Sequence, residues 1–160
     1  MNEELNLRSE RVVALLKEMI CRPSHTGEEE AVADLIEARL REGGIEPKRL
    51  YNNVYAYADG YNPERETLML NSHIDTVRPT ASYTRDPYSP DEADGRIYGL
   101  GSNDAGASVV SLLAAFIYMS DKKLNKYKNR YYHCKKQDSS CFVLIIKIKK
   151  ILFSFCSNVS

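Results

Sequence analysis

The sequence predicts an α/β fold for residues 1–118, on three observations. Apolar residues recur at helical spacing in two early segments. Short strand-like runs follow them, and one leads directly into a histidine and an aspartate. An Ala-rich apolar stretch then predicts a further helix. Since helices and strands alternate, we expect the opening, incomplete part of a three-layer α/β domain.

The first two helices are predicted from periodicity and from the residues that end them. Residues 8–21 carry apolar side chains at helical spacing, and Pro23 ends the segment. Thr26 with Glu29 three residues later matches a capping box, so a second helix is expected to begin there. It ends at Gly43. We expect the glutamates around Glu29 to form a solvated first turn.

The remaining elements follow from β-prone runs and from proline content. Residues 53–58 and 67–72 are predicted strands. Residues 78–95 contain three prolines and are predicted to be a long loop. A short strand at 96–98 and a helix at 105–118 complete the predicted domain.

Candidate site residues cluster at the end of the second strand and on a glycine-rich turn. The apolar run before His73 predicts a buried strand that delivers His73 and Asp75 at its C-terminal end, where open α/β sheets build their sites. Asp104 lies between Gly99 and Gly106, just before the last helix. One histidine and two carboxylates favour a hard or borderline metal, most plausibly zinc.

Each of these residues has a chemical role that its position allows. Asp75 is placed to accept a hydrogen bond from the imidazole of His73 and so to fix its tautomer. The two oxygens of Asp104 suit it to bridge two metals about 3.5–4 Å apart. A simpler alternative is a strand-end histidine bonded to its neighbour, with Asp104 as a helix N-cap. The combined spacing and glycines favour the metal interpretation.

The run His73-Ile74-Asp75-Thr76-Val77 and the segment Gly99–Gly106 resemble signatures of a known family. This is the acetylornithine deacetylase / succinyl-diaminopimelate desuccinylase family of zinc-dependent aminoacylases and exopeptidases. The resemblance implies a zinc-exopeptidase-like catalytic domain in which His73 ligates one zinc and Asp104 bridges two. Asp75 would orient His73 and tune the general base, a catalytic role. Cobalt is a possible replacement for zinc.

The resemblance covers residues 5–118 and looks closest to the acetylornithine deacetylase branch. It implies hydrolysis of an N-acylated amino acid, such as N-acetyl- or N-succinylornithine. Arg78 and Arg85 could meet a substrate carboxylate, or could be surface loop charges. The chain departs from the family at one point. Many members have Lys-Gly one residue after the bridging aspartate, whereas this chain has Asp104-Ala105-Gly106. The resemblance implies a homodimer only for an intact relative.

Several groups that the family needs are not found after Asp104. Members carry a Glu-Glu pair, a further acidic ligand and a C-terminal histidine ligand. Here the later acidic residues are Asp121 and Asp138, and the only later histidine is His133. We therefore expect this N-terminal fragment to bind zinc weakly and to be inactive as written.

Two other function classes stay open at this point. The chain could be a non-catalytic fragment or a binding partner of an intact homologue. It could also be a different α/β hydrolase that pairs His73 with Ser72 or Ser102. Neither serine lies in Gly-x-Ser-x-Gly, which is the usual context of a hydrolase nucleophile.

The composition changes abruptly near residue 119. Residues 1–120 contain 12 Lys+Arg and 20 Asp+Glu, whereas residues 121–160 contain 10 and 2. The later stretch has no Gly, Pro, Ala, Glu or Thr. We interpret 119–160, called the C-terminal segment below, as the product of a frameshift or read-through. Within it, Phe142–Ile146 is β-prone and uncharged, and hence an aggregation hazard.

Composition also bears on partners and compartment. The C-terminal segment is basic but matches no nucleic-acid-binding module, so no nucleic acid partner is expected. Its apolar stretch is too short to cross a membrane, and no signal peptide is visible, so no membrane partner is expected. Cys21 is the only cysteine of residues 1–118, which fits a reducing cytoplasm. The expected partner is a small N-acyl amino acid.

Overall fold

The structure, a computed structural model, describes residues 3–59, 61 and 68–121, together with the backbone of 141–146. It confirms the mixed α/β composition. The helices are α1 (Glu3–Ile20), α2 (Glu30–Glu42) and α3 (Ala107–Asp121). The strands are β1 (Pro47–Leu50), β2 (Asn53–Tyr57), β3 (Leu68–His73), β4 (Asp91–Ala93), β5 (Arg96–Tyr98) and β6 (Cys141–Ile146).

The three helices and β2 share one hydrophobic cluster, which forms the core of the described residues. Its members include Leu15, Leu16, Met19 and Ile20 of α1, Val32, Ile36 and Leu40 of α2, Val54 and Ala56 of β2, and Val109, Val110, Leu113 and Phe116 of α3. The three-layer arrangement expected from the sequence stays a prediction. None of the helices in the described part of the chain has the length and hydropathy to span a membrane.

The main sheet has four strands in the order β1-β2-β6-β3. β1 and β2 form an antiparallel pair, while β6 runs parallel to β2 and antiparallel to β3. In this register Cys141 lies opposite His73, and Ile146 lies opposite Leu68. The strand that separates β2 from β3 therefore comes from the C-terminal segment. The domain boundary at 118 stays a prediction.

Within residues 1–118, two strands were missing from the sequence prediction. β1 precedes β2, and β4 lies inside the predicted loop 78–95, where it pairs antiparallel with β5. Asp94 and Gly95 connect β4 to β5 with φ values of 52° and 70°. An Asp-Gly pair with two positive φ angles is typical of a β-hairpin turn. The sequence prediction relied on the three prolines of residues 78–95 and so assigned a loop instead.

The expected capping box is wrong. Glu29 occupies the position before α2 and no side chain caps the helix. The hydroxyl of Thr26 instead donates to Asp75 Oδ2 at 2.9 Å. Glu29 is fully buried rather than solvated, and it accepts hydrogen bonds from the Gly27 N–H and from Asn52 Nδ2, both at 2.7 Å. Gly27 has φ 90°, a conformation that glycine adopts readily, and in this turn its N–H points at the buried carboxylate of Glu29.

Candidate metal centre

β3 ends at His73, as the sequence predicts, but the strand is half-buried along its length rather than buried. Leu68 and Leu70 of β3 pack against the core, and the strand ends at His73. The three predicted site residues differ in exposure. The side chains of His73 and Asp75 are 29% and 17% exposed, whereas that of Asp104 is 87% exposed. The site is thus a half-buried pair facing an open carboxylate.

The two oxygen contacts of His73 Nδ1 favour a proton on that ring nitrogen. Nδ1 lies 3.1 Å from the backbone carbonyl oxygen of Asp75 and 3.1 Å from its Oδ1. A carbonyl and a carboxylate oxygen only accept hydrogen bonds, so Nδ1 must donate. In the neutral ring, Nε2 then presents its lone pair. This is the arrangement in which a carboxylate orients a metal-binding histidine.

His73 Nε2 faces Asp104 Oδ1 at a distance of 3.0 Å. In the neutral ring both atoms carry lone pairs and repel each other, unless a cation lies between them or the ring takes up a second proton. Two ligands that are each about 2.0–2.2 Å from one zinc ion can be this close. The donor set therefore fits a divalent cation. A simpler alternative explains the same two contacts without a metal. In it, His73 is protonated at both ring nitrogens and donates to Asp75 and to Asp104.

The glycine-rich segment folds back towards the end of β3 and so brings Asp104 to His73. Asp104 lies in a single π-helical turn, Ser102–Gly106, that precedes α3. The Gly106 N–H donates to the Gly101 carbonyl oxygen at 2.8 Å. Gly101 has φ 72°, and a Cβ there would lie 2.5 Å from Thr76 Cγ2. The side chain of Asp104 thus contacts His73. The alternative, in which this side chain caps the N-terminus of α3, is not observed.

A segment before α2 fixes the residues that follow β3, and sequence reasoning missed it. The Thr76 N–H donates to the Ser24 carbonyl oxygen at 2.6 Å, and Ser24 Oγ donates to the Ile74 carbonyl oxygen at 2.8 Å. Thr26 adds its hydrogen bond to Asp75. These partners are about 50 residues apart in the chain, so no local pattern could have indicated them.

A comparison with the sequence models of known families finds a match in this chain. Residues 69–130, which include His73, Asp75 and Asp104, match the sequence model of Peptidase family M20/M25/M40. The chain is a relative of the M20 peptidases. The resemblance stated from the sequence is thereby confirmed.

Curated relatives match about two thirds of this chain. A protein named succinyl-diaminopimelate desuccinylase from Methylibium petroleiphilum is 30% identical over 113 residues, which are 64% of this chain and 29% of the relative. Its namesake from Stenotrophomonas maltophilia is 34% identical over 110 residues, 65% of this chain and 28% of the relative. The chain thus spans under a third of these relatives. They do not confirm the acetylornithine branch.

The metal site is partial within the described residues. No group of three His, Cys, Asp or Glu side chains there is arranged to hold a metal ion. Asp121 ends α3 and pairs with Arg8 at 3.3 Å, away from His73. His133 and Asp138 lie outside the described residues. His73 and Asp104 are therefore the two ligand candidates that the structure places together.

The other candidate residues are occupied by different contacts. Arg78 pairs with Glu28 at 2.6 Å. Arg85 lies over the ring of Tyr98 at 3.9 Å from its centroid. Within the described residues both ring nitrogens of His73 contact aspartates, so neither Ser72 nor Ser102 forms a nucleophile–histidine pair with it.

Proposed function

We propose that His73, Asp75 and Asp104 belong to the metal centre of a hydrolase of N-acylated amino acids. The observation that carries the proposal is the 3.0 Å separation of His73 Nε2 and Asp104 Oδ1, two lone-pair donors at a strand end. The M20 match over 69–130 supports the reaction class. His73 and Asp104 are the proposed ligands, and Asp75 is the proposed orienting group.

The chemistry divides between the ion and the chain. A zinc ion held here would polarise the substrate carbonyl and lower the pKa of a bound water towards neutrality. Asp75 keeps the proton on His73 Nδ1, which leaves Nε2 free to bind. The carboxylate of Asp104 is exposed, and its Oδ2 has no hydrogen-bond partner among the described residues, so it would suit the bridging role implied by the resemblance. Cobalt is the proposed substitute ion.

The substrate class rests on the relatives. Two of them are named for removing a succinyl group from diaminopimelate. We propose an N-succinyl or N-acetyl amino acid as the substrate of the complete enzyme, with ornithine or diaminopimelate as the amino acid. Arg78 and Glu28 form an exposed ion pair. A substrate carboxylate that bound Arg78 would therefore share it with Glu28.

We further propose that these 160 residues alone hydrolyse poorly. Only Asp121, His133 and Asp138 follow Asp104 as potential metal ligands of the carboxylate or imidazole type. Catalytic zinc sites use three protein ligands as a rule, so affinity with two should be weak. The frameshift or read-through origin of the C-terminal segment, the cytoplasmic location and a homodimer of an intact relative remain proposals. No observation favours a non-catalytic partner role.

The experiment is a Co²⁺ titration of the 160-residue chain, followed by visible absorption and calorimetry. We expect binding that weakens at least tenfold in His73→Ala and in Asp104→Asn. Glu46→Gln, which removes an exposed carboxylate away from the site, is the matched control and should bind as the parent does. Equal affinity in all four proteins would contradict the proposal.

The same preparations test the reaction class. The parent should release no amine from N-succinyl-diaminopimelate or N-acetylornithine above a metal-free blank. Turnover that depends on His73 and Asp104 would support the hydrolase and refute the incomplete-site proposal.

A further inference from the structure

Thr26 is tied to the carboxylate that orients His73. Its hydroxyl donates to Asp75 Oδ2 at 2.9 Å, while Asp75 Oδ1 lies 3.1 Å from His73 Nδ1. One carboxylate is therefore held at both oxygens. The terminal torsion of an aspartate is broad, so its plane is set mainly by such partners.

The segment that carries Thr26 is anchored independently of the site. His25 and Thr76 form a parallel bridge between the two segments. His25 is buried, and its Nε2 lies 3.1 Å from the hydroxyl oxygen of Tyr88. Ser24 adds its two hydrogen bonds to the residues after β3. The hydroxyl of Thr26 is thus presented to Asp75 from a fixed backbone.

We propose that Thr26 is a positioning residue for the His73–Asp75 pair. By holding Oδ2, it keeps Oδ1 against Nδ1 and so keeps the proton on that nitrogen. Nε2 then stays available to a divalent cation. The inference about the cation depends on the proposed function, but the inference about the ring proton does not.

The size of the effect follows from where Thr26 stands. Groups that hydrogen-bond directly to a ligating histidine change metal affinity by about 10–100-fold when removed. Thr26 is one contact further away and exposed, so water can replace its hydroxyl. We therefore expect about a threefold to tenfold loss of Co²⁺ affinity, which is smaller than the effect of removing a direct partner.

The test uses the full chain with Thr26→Val, which keeps the shape and removes the hydroxyl. Thr26→Ser restores the hydroxyl and should rescue. Thr80→Val is the control, because the hydroxyl of Thr80 contacts only Ser82, at 2.8 Å, among the described residues. The primary measurement is the ¹⁵N spectrum of the imidazoles in metal-free protein, at a pH where the rings are neutral. Co²⁺ affinity is the second.

We expect the share of the Nδ1–H form of His73 to be equal in the parent, Thr26→Ser and Thr80→Val, and to fall in Thr26→Val, because Asp104 Oδ1 then competes better for the ring proton at Nε2. An unchanged tautomer with unchanged affinity in Thr26→Val would overturn the proposal. If Thr26→Val does not fold, Thr26→Ala replaces it and is interpreted in the same way. Absence of Co²⁺ binding in the parent would count against the proposed function, while the tautomer would still decide the role of Thr26.

Discussion

At the residue scale, the environment of His73 decides what the site can do. The sequence predicted His73, Asp75 and Asp104, because a strand end and a glycine-rich turn are local patterns. The structure joins them through contacts of 3.1 Å and 3.0 Å at the two ring nitrogens. Thr26 was assigned to a helix cap instead, because its true partner, Asp75, is distant in sequence.

Gly101→Ala tests the turn that carries Asp104. The new Cβ would meet Thr76 Cγ2 at 2.5 Å in a backbone with φ 72°. We expect a loss of about 2–4 kcal/mol in the free energy of unfolding, from the strained φ and the overpacking together. Co²⁺ affinity should fall as Asp104 moves. Urea denaturation and cobalt titration measure the two effects.

Gly95→Ala is the matched control for that substitution. Gly95 has φ 70°, but a Cβ there meets nothing within 4 Å. It should cost only the strain of a side chain at positive φ, about 1–2 kcal/mol, and leave Co²⁺ affinity unchanged. Equal effects of the two substitutions on both measurements would show that the contact with Thr76 is unimportant.

Glu29→Ala tests the buried carboxylate that precedes α2. Removing it leaves the Gly27 N–H and Asn52 Nδ2 without their described acceptor, and each unsatisfied donor costs about 1–3 kcal/mol. We expect a large drop in the urea midpoint. Glu30→Ala, at an exposed neighbour, should change it little. If the two variants had the same urea midpoint, the carboxylate of Glu29 would be solvated and the prediction would be wrong.

At the element scale, periodicity predicted the helices and nearby strands well. Residues 8–21 lie almost entirely in α1, which begins earlier, at Glu3, and β5 matches its predicted bounds. β4 was missed because prolines dominate its surroundings. The pairing of β6 with β2 and β3 was not predicted either, since a β-prone run indicates a strand but not its neighbours.

Leu144→Pro tests whether β6 completes the sheet. Leu144 lies opposite Ala56 of β2 and Leu70 of β3, so a proline there breaks a central strand. We expect faster amide hydrogen exchange in β2 and β3. Leu144→Val keeps the strand and serves as the control. If β2 and β3 exchange equally in both variants, β6 does not hold the sheet together.

At the scale of the whole molecule, short motifs predicted the M20 relationship, and the residues that follow Asp104 predicted an incomplete site. The described residues share one core, yet the chain spans under a third of its curated relatives. The acidic first 120 residues and the basic remainder differ sharply in composition. Within the described residues, the proposed metal site therefore rests on the pair that His73 and Asp104 form.

The most direct test of the metal pair is zinc X-ray absorption on the loaded chain, compared with His73→Ala. We predict a first shell of nitrogen and oxygen at about 2.0–2.1 Å, with imidazole scattering that disappears in His73→Ala. A shell of sulfur at about 2.3 Å, or imidazole scattering that survives the substitution, would contradict the assignment of His73 and Asp104 as the ligands.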